Sequence, residues 1–581
     1  MREQLEQLVG QALAELLPDG PVDGVDTSAQ ISRTRDPRHG DFTTNLAMRL
    51  AKPLRRKPRE IAEALVERMS AADWLDAVTI AGPGFVNFKL SASAYRQELM
   101  SIIARAEVYG RSEQGKGTKV LVEYVSANPT GPLHVGHGRL AAYGASVANL
   151  LRATGHAVHE EYYVNDAGRQ MNILGASVWI RYAQQHGLDV ALPAKAYQGN
   201  YVGDIARQLT AHQEAELLLD AAAVSAALAS ASGDQEQELD RLIEFLSTQL
   251  GEDRFRRCVE AGLNHILADI RDDLAEFGVT PDRWFSERSL VTDGALDRAL
   301  AEVRRRGHLY DKDGAVWFKA TDFGDDQDRV VVRDNGAPTY FASDIAYHFE
   351  KRERGFDVLL NVLGADHHGY VARLRGGLEA MGEKGDALEV RLIQFVALYR
   401  GKERVAMGTR SGEYVTLREL RNEVGNDAAR FFYVMRSNDQ HLDFDLELAA
   451  SQSDDNPVYY IQYAFARIAS ILRRRQDQDL PPPRLAEAQL QLLEEPQEMA
   501  LLIALSRYPE IVELAANNRA PQTLVHYLRE LAATFHTYYG AHKVLVDDRE
   551  LANARTLLAL GTQQVLHNGL SLLGVSPPER M

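Results

Sequence analysis

Two histidines three residues apart are the strongest chemical signal in this sequence. His134 and His137 lie in the stretch SANPTGPLHVGHGR (126–139), with Gly136 directly before the second histidine. At the entry to a helix both imidazoles can face one point, and a glycine there lets a base or a phosphate approach the backbone closely. The helix N-terminus also favours negative charge. These residues therefore predict a site that binds ATP and stabilises charge developing at its α-phosphate. The competing interpretation is a pair of surface histidines in a glycine-rich turn.

The segments on either side of the histidines predict how they are positioned. An apolar, β-branched run precedes them, a helix-period segment follows, and a second strand comes next, which together form a βαβ unit. The same alternation returns late in the chain. The predicted elements are strand Lys119–Val125, helix Gly138–Leu151, strand Ala157–Val164, strand Asp357–Leu363, helix Tyr370–Met381 and strand Val390–Leu398. Two such halves predict a split, doubly wound parallel sheet, which binds ligands at the carboxyl ends of its strands.

Shifts in pattern divide the chain into three predicted domains. Residues 1–112 are expected to form a small α+β domain, with helices over Gln4–Leu17 and Pro58–Met69 and two short strands within Val78–Leu90. Residues 113–445 carry the parallel sheet and a mostly helical insertion at about 170–330. Residues 446–581 are all helical in pattern. The periodic segments there are Tyr459–Arg475, Glu498–Asn517, Gln522–Tyr539 and Leu551–Leu573.

Composition excludes several classes of protein. The chain has 581 residues, 45% of them hydrophobic and 25% charged, which is ordinary for a protein with several packed cores. Its net charge of −17 requires that any contact with nucleic acid be confined to a local basic patch. Cys258 is the only cysteine, which excludes an internal disulfide and argues against a cysteine zinc site. No apolar run approaches the roughly 18 residues that span a bilayer, and the first ten residues do not resemble a signal peptide. We therefore expect a cytoplasmic protein with no membrane association.

The motif HVGH resembles the HIGH signature of class I aminoacyl-tRNA synthetases. Longer stretches narrow the resemblance to the arginyl-tRNA synthetases, in the order VEYVSANPTGPLHVGHGR (122–139), YYVNDAGRQM (162–171), NVLGADHHGYVARL (361–374), NPVYYIQYAFARI (456–468) and GVSPPERM (574–581). These motifs span nearly the whole chain and are highly specific. The resemblance implies a Rossmann-like parallel-sheet catalytic domain with a helical insertion. It also implies an N-terminal α+β domain that contacts the tRNA elbow and a C-terminal helical bundle that binds the anticodon.

The resemblance also implies which residues bind arginine. The matching positions are Glu123 and Asn128, five apart, Tyr340 and Asp344, four apart, and His368. A guanidinium is planar and carries five N–H donors, so a buried carboxylate in its plane can accept two of its hydrogen bonds at once. The ammonium of lysine is not planar and cannot form this paired contact. Taken alone, Asp344 also fits an ordinary helix-surface carboxylate. Glu123 is unusual in its own right, because a carboxylate inside an apolar strand needs a cationic partner.

A second set of residues is expected to bind ATP. By resemblance these are Thr130, His134, Gly136, His137, Gly364, Asp366, His367 and Met407. His367 and His368 are adjacent, but no third ligand follows at a suitable spacing, so we predict no protein-bound metal there. Mg²⁺ is expected to accompany ATP.

The second class I motif, KMSKS, is not intact in this sequence. The matching stretch is VAMGTRSG (405–412), with Ala406 and Thr409 where lysines are expected. Some arginyl enzymes that lack a lysine here carry one three residues before the first HIGH histidine, but Gly131 stands at that position. Nucleotidyl transfer needs positive charge near the leaving pyrophosphate. We predict that Arg410, with Mg²⁺, supplies much of it, with help from Lys402 or Arg404; the alternative is that Arg410 is only a solvated loop charge.

Contacts with tRNA are expected at both ends of the chain. The resemblance favours Tyr459, Tyr463 and the terminal Met581 near the anticodon loop, and Arg467 on the same helix as the tyrosines is a further candidate. Nearby candidates are Asn456, Tyr460, Gln462, Arg473, Arg474, Arg475, Tyr538 and Tyr539. The basic run from Lys52 to Arg59, with Arg55 and Arg56, is a candidate backbone contact. The competing interpretations are tyrosines that pack into the bundle core and a basic run that is simply solvated.

The resemblance implies that the chain is an arginine–tRNA ligase, a monomer that activates arginine with ATP. The arginyl group would then pass to the 2′-hydroxyl of the terminal ribose of tRNA(Arg), and activation would require bound tRNA. One rival is a class I synthetase for another amino acid, such as cysteine or glutamate, although a cysteinyl enzyme would show zinc-binding cysteines. The other rival is a synthetase-like RNA-binding protein that has lost activation through Ala406 and Thr409.

Overall fold

The computed structural model describes residues 1–18, 20, 24–34, 36–213, 216–229, 234–405, 415–487, 489–578 and 580. They form an N-terminal α+β domain, a central domain built on a parallel sheet, and a C-terminal helical bundle. One hydrophobic core continues from Leu5 through Val120 to Leu501, so the three domains pack against one another. None of the helices within the described ranges combines the length and apolarity that a membrane crossing requires.

The N-terminal domain packs helices on an antiparallel sheet of order β1-β2-β4-β3. Its elements are α1 (Arg2–Leu16), β1 (Ser32–Arg33), β2 (Phe42–Thr44), α2 (Leu46–Leu54), α3 (Pro58–Glu67), β3 (Leu75–Ala81), β4 (Phe85–Leu90) and α4 (Ala92–Arg105). The two predicted helices and the two strands joined at Pro83-Gly84 are present. Helices α2 and α4 were not predicted, and α4 joins this domain to the bundle by packing against two of its helices.

The central domain alternates strands and helices. In chain order its elements are β5 (Lys119–Glu123), α5 (Val135–Ala153), β6 (Ala157–Val164), α6 (Arg169–Gln185), α7 (Asn200–Gln213), α8 (Ala221–Ala229), α9 (Gln235–Leu250), α10 (Glu252–Glu276), β7 (Arg283–Ser286), α11 (Ser289–Thr292), α12 (Ala295–Arg305), β8 (Leu309–Lys312), β9 (Ala315–Phe318), β10 (Arg329–Val332), α13 (Tyr340–Glu353), β11 (Val358–Gly364), α14 (Val371–Ala380), β12 (Leu388–Ile393), β13 (Val396–Arg400), β14 (Glu403–Arg404), α15 (Leu417–Val424), α16 (Asn426–Val434), β15 (Leu442–Asp445) and α17 (Leu446–Ala450).

Five of these strands form the predicted doubly wound parallel sheet, in the order β12-β11-β5-β6-β7. The chain winds outward from β5 through β6 to β7 and then returns to the other side of β5 as β11 and β12. The reversal lies between β5 and β11, where Glu123 and Asn361 are register partners. A crevice forms at the carboxyl ends of the strands at such a switch point, and it is the usual ligand site of this architecture.

Two predictions for the central domain are wrong. The helical insertion ends at Glu276 rather than near residue 330, because β7 belongs to the parallel sheet and β8–β10 form a small antiparallel sheet. The single predicted strand Val390–Leu398 is two strands in different sheets, since β12 pairs with β11 and β13 pairs with β14 and β15. The alternating pattern runs through Gln394-Phe395, so the pattern alone does not reveal where the chain leaves one sheet for the next.

The C-terminal bundle consists of α18 (Pro457–Asp477), α19 (Pro496–Ser506), α20 (Tyr508–Asn518), α21 (Pro521–Ala541) and α22 (Arg549–Leu572). The predicted helix Glu498–Asn517 is therefore two helices. The break falls at Arg507, because Pro509 lies in the first turn of α20 and cannot continue the hydrogen bonding of the preceding helix. The other three predicted helices are present within a few residues of their expected ends.

Candidate active site

A cavity of about 510 Å³ opens at the carboxyl edge of the parallel sheet, beside β5 and β11. It is lined by side chains from β5, β6, α13 and β11 and from the segments that follow β6, β7 and β11. Four carboxylates line it, and none of the described residues that line it is a lysine or an arginine. The acidic residues are Glu123, Glu287, Asp344 and Asp366. A cavity with this lining favours a cationic ligand.

One helix supplies much of the cavity wall. Tyr340, Asp344, Tyr347 and His348 line the cavity from α13, because residues four, seven and eight positions apart lie on one helix face. Tyr340 is 60% exposed at the start of this helix, whereas Tyr347 and His348 are buried further along it. Tyr340 and Asp344 are two of the residues predicted from the sequence to bind arginine. Continuing the helical spacing from them would also have identified Tyr347 and His348.

Asp344 has the most strongly perturbed carboxyl group of the cavity. Its pKa is raised to about 7, mainly by burial, and the nearby carboxylates of Glu123 and Glu287 act in the same direction. The hydroxyl of Tyr370 donates a hydrogen bond to Oδ2 of Asp344, and this bond acts in the opposite direction. Burial likewise raises the pKa of Glu287. Two carboxyl groups are thus held partly out of water, and within the part of the chain that the structure describes neither forms an ion pair with a lysine or arginine.

Glu123, by contrast, has a cationic partner within the protein. Its Oε2 accepts a hydrogen bond from Nζ of Lys351 at 2.6 Å, and its Oε1 accepts one from the hydroxyl of Ser126 at 3.2 Å. The expected cation partner of a strand carboxylate is therefore a lysine 228 residues away, which no local pattern indicated. Ser126 reaches Glu123 from a turn in which Val125 and Ser126 both have positive φ, at 68° and 41°. A β-branched residue rarely adopts that conformation, so this turn is a strained feature of the site.

The remaining predicted arginine and ATP residues lie at the same edge of the sheet. Asn128 is exposed and accepts a hydrogen bond at 2.9 Å from the side chain of Asn165, which lines the cavity. Asp366 and His367 also line the cavity, whereas the adjacent His368 is exposed and is not among the lining residues. Gly364 ends β11, and the carbonyl of Thr130 accepts a hydrogen bond from Tyr201.

His134 and His137 form a stacked pair at the N-terminus of α5. His134 is the N-cap and His137 the third helical residue, and their ring centroids are 3.7 Å apart at 18°. Nδ1 of His134 accepts from the amide of Gly136 at 3.1 Å, and Nδ1 of His137 accepts from the amide of His134 at 3.2 Å. Burial lowers the pKa of both rings, that of His137 to about 3. Each neutral ring that accepts at Nδ1 carries its proton on Nε2, so the pair presents two N–H donors beside a positive helix terminus.

All of the stretch matching the second class I motif except Val405 lies outside the described residues, because residues 406–414 are not described. Ala406, Met407, Thr409 and Arg410 fall in this gap. The chain on each side of it is held firmly. The amide of Val405 donates to Leu398, and the carbonyl of Val415 accepts from the amide of Val135, the residue after His134. Thr416 also forms a bridge with His134. The chain therefore resumes after this stretch directly beside the histidine pair. Lys402 and Arg404 are exposed at the β13–β14 hairpin.

An aromatic and cationic cluster occupies part of the surface of α18. Tyr459 and Tyr463 are stacked 6.0 Å apart, and the guanidinium of Arg467 lies 4.2 Å over the ring of Tyr463 and 5.2 Å from that of Tyr539. All four residues are half-buried, so their rings are partly accessible. This arrangement is compatible with base stacking.

Other predicted RNA contacts are structural. Tyr538 is fully buried in the bundle, Asn456 caps α18 from a buried position, and Gln462 bonds Asp427 and the Ser576 carbonyl. Arg475 is also buried, against the carbonyl of Pro481. Helical periodicity alone did not show which face of α18 and α21 turns inward, and an RNA contact at these four positions stays a prediction. The predicted contact at Met581 lies outside the described residues.

The basic run of the N-terminal domain lies on the surface, between α2 and α3. Arg55 and Arg56 are exposed, and Arg55 has a positive φ of 50° at the C-cap of α2. At the start of α3, Lys57 forms an ion pair with Glu60 and Arg59 forms one with Glu63. The exposed part of the run therefore lies where a partner can reach it.

The switch-point cavity and the histidine pair at the first helix define a class I aminoacyl-tRNA synthetase. Residues 98–446 match the family described as tRNA synthetases class I (R), catalytic domain. Residues 3–90 match the arginyl tRNA synthetase N terminal domain, and residues 461–581 match the DALR anticodon binding domain.

The chain belongs to the arginyl-tRNA synthetase family. A relative from Thioalkalivibrio sulfidiphilus called arginine–tRNA ligase is 55% identical over 587 residues and covers 100% of both chains. Another of the same name, from Halorhodospira halophila, is 51% identical over 584 residues with 100% of both chains covered. The solved structure of Thermus thermophilus arginyl-tRNA synthetase matches with a TM-score of 0.73 at 25% identity, again over 100% of both chains.

Proposed function

We propose that the acidic cavity is the arginine pocket of an arginine–tRNA ligase and that the histidine pair holds its ATP. The observation that carries this proposal is the cavity lining at the switch point between β5 and β11, where the described residues contribute four carboxylates and no lysine or arginine. Arginine brings two cationic groups, and the guanidinium in particular needs in-plane oxygen acceptors. Asp344 and Glu287, which form no ion pair with any lysine or arginine among the described residues, are suited to that demand.

Within this pocket we assign Asp344 as the main guanidinium acceptor, with Tyr340 at the rim. Glu123, Asn128 and His368 complete the proposed arginine site, as the family resemblance implies. Glu287 is an addition that the sequence analysis missed: it is 8% exposed, and its Oε2 has no hydrogen-bond partner among the described residues. The serine-rich stretch FSERS around Glu287 offered no signal that would have singled it out.

ATP binding is assigned to the opening of α5. Two Nε2–H donors and the helix N-terminus would meet the phosphates and stabilise negative charge as the arginine carboxylate attacks the α-phosphorus and pyrophosphate departs. Gly136 supports this role, because a Cβ there would lie 2.9 Å from the His134 ring. The protein contributes orientation and charge stabilisation, and no nucleophilic side chain is required. Thr130, Gly364, Asp366, His367 and Met407 complete the proposed ATP site.

Mg²⁺ is proposed to enter with ATP rather than to be held by the protein. His134 and His137, at the proposed phosphate site, are nitrogen donors whose Nδ1 atoms are already engaged, whereas Mg²⁺ prefers oxygen ligands and is commonly bound through substrate phosphates and water. Its charge would help to neutralise the triphosphate. Arg410 is proposed as the protein cation that replaces the missing lysines, with Lys402 or Arg404 assisting.

The tRNA is proposed to span the molecule. Tyr459, Tyr463 and Arg467 would contact unpaired anticodon bases, together with Met581, while Arg55 and Arg56 would contact the backbone near the elbow. The 2′-hydroxyl of the terminal ribose would then attack the activated carbonyl of arginine and release AMP. We further propose that the enzyme is a cytoplasmic monomer with domains at 1–112, 113–445 and 446–581.

ATP–pyrophosphate exchange tests the proposal against its rivals. We expect exchange with arginine alone among the amino acids, and only when tRNA(Arg) is present. Exchange driven by cysteine or glutamate would indicate a different specificity, and no exchange under any condition would indicate an RNA-binding protein without activation.

A further inference from the structure

Lys351 is buried directly behind the cavity and has every donor engaged. Its side chain is 0% exposed, and it lies on α13, the helix that also carries Asp344. Nζ is 2.6 Å from Oε2 of Glu123, 3.2 Å from Oδ1 of Asn361, and 4.0 Å from the ring centroid of Tyr347. A carboxylate, an amide oxygen and an aromatic face thus surround the ammonium, which is what three N–H donors require away from water.

The ammonium of Lys351 also organises the surrounding polar groups. Because Lys351 engages Oδ1 of Asn361, the amide nitrogen of Asn361 faces Nε2 of His348 at 3.2 Å. Nδ1 of His348 in turn lies 2.8 Å from the carbonyl of Asp344. A continuous buried network therefore runs from Lys351 to the backbone of Asp344. Such networks fix side chains in one arrangement when every member is satisfied.

We propose that Lys351 is a positioning and specificity-determining residue of the arginine pocket, acting through Glu123. This inference rests on the proposed function, namely that the cavity binds arginine. Lys351 holds the Glu123 carboxylate in one orientation, with Oε2 on the ammonium and Oε1 on the Ser126 hydroxyl, so that the pocket is preorganised before arginine enters. Its role is indirect, because Lys351 itself is not among the residues that line the cavity.

The same placement disfavours lysine as a substrate. A substrate ammonium would bind best where a carboxylate, an amide oxygen and an aromatic face converge, and the protein's own Lys351 already fills that position. A lysine substrate would then meet acceptors that suit a planar guanidinium, and it would also meet the fixed positive charge of Lys351 behind Glu123. A guanidinium can still engage the carboxylates on the cavity wall. The pairing of Lys351 with Glu123 thereby helps the pocket to discriminate arginine from lysine.

The test compares Lys351→Met with Lys312→Met, a control at an exposed lysine on β8. We expect Lys351→Met to raise the KM for arginine at least tenfold with the KM for ATP unchanged. We also expect the ratio of arginine-dependent to lysine-dependent exchange to fall at least tenfold. Unchanged arginine KM and unchanged discrimination in folded Lys351→Met would overturn the proposal.

A second variant keeps the proposal testable if Lys351→Met does not fold. Lys351→Ala removes the atoms that n-propylammonium can replace, so arginine KM should fall toward the wild-type value as this amine is added. n-Propanol, which lacks the charge, should have no such effect. Arginine KM that is independent of the amine contradicts the proposal.

Asp344→Asn, assayed in parallel, separates this inference from the proposed function. If Asp344→Asn leaves arginine KM unchanged, the cavity is not the arginine pocket and the proposed function fails. If Asp344→Asn raises arginine KM while the Lys351 variants behave as wild type, the pocket assignment stands and only the role of Lys351 fails.

Discussion

Tyr370 donates its hydroxyl hydrogen to Oδ2 of Asp344, and this bond joins the segment after β11 to helix α13 across the cavity. The tyrosine thereby fixes the orientation of a carboxyl group that is otherwise held by burial alone. Ionising that group costs free energy, which arginine binding has to offset. Arginine use should therefore respond both to replacement of Asp344 and to pH.

Replacing Asp344 with asparagine should weaken arginine binding selectively. Asparagine keeps the size and an acceptor oxygen but loses the charge that a guanidinium needs. Hydrogen bonds to charged groups contribute about 1.5–3 kcal/mol, so arginine KM should rise roughly 10- to 150-fold. Steady-state exchange kinetics at saturating ATP measure this change. An unchanged arginine KM, or an equal rise in the KM for ATP, would contradict the assignment.

Arginine use should depend on pH through Asp344. Because burial raises the pKa of Asp344 to about 7, the empty pocket holds a neutral carboxyl at lower pH. The arginine cation requires the ionised form, so kcat/KM for arginine should rise with pH up to about 7 and then level off. The contribution of Asp344 to folding stability should fall as the pH rises from about 4 to about 7, because over this range the folded state binds a proton that the unfolded state has released. A flat profile for arginine across this range would refute the prediction, and the KM for ATP at saturating arginine serves as the control.

Replacing His137 with asparagine should isolate its Nε2–H donor. The asparagine oxygen can replace Nδ1 as acceptor of the His134 amide, which preserves the helix start, but no donor remains at the position of Nε2. Loss of one preorganised donor to developing charge typically costs about 10² to 10³ in rate. We expect kcat for exchange to fall by about that factor with arginine KM little changed. A variant with normal kcat would exclude His137 from phosphate stabilisation.

Replacing Arg410 with alanine should slow adenylate formation. If this side chain supplies the cation that the motif lacks, kcat for tRNA charging should drop at least tenfold while affinity for tRNA is retained. Lys402→Ala and Arg404→Ala, each measured alone, show whether either exposed cation shares the role. Unchanged kcat in Arg410→Ala would reduce Arg410 to a solvated loop charge.

Tyr463 offers a matched pair of variants for the anticodon contact. Tyr463→Phe keeps the ring beneath Arg467 and removes only the hydroxyl that Arg467 contacts at 3.1 Å, whereas Tyr463→Ala removes the stacking surface. Stacking of a base on an aromatic ring contributes about 1–3 kcal/mol, so Tyr463→Ala should raise the Kd for tRNA(Arg) roughly 5- to 150-fold. Tyr463→Phe should bind nearly as well as wild type. Equal binding by both variants would indicate that the ring does not stack on the RNA.

The sequence predicted most securely what depends on short stretches of chain. The histidine pair, the strand before it and the helix after it all lie within residues 119–153, and their pattern predicted both the parallel sheet and the helix-terminal site. The family resemblance implied Tyr340 and Asp344, and their spacing of four on one helix is consistent with a shared face. The doubly wound parallel sheet also followed from the two βαβ units, since parallel strands need crossover connections, whereas the five-strand order with β7 at its edge came only from the structure.

The sequence by itself thus determined the fold class, the edge of the sheet that carries the site, and the chemistry of the histidine motif, because these follow from local periodicity. Only the tertiary structure decided which distant groups share the cavity. Glu123 meets Lys351 across 228 residues, Glu287 enters from the end of β7, and Tyr370 closes on Asp344 from beyond β11. The physical reason is that burial and ion pairing depend on which side chains converge in space, and no spacing along the chain specifies that convergence.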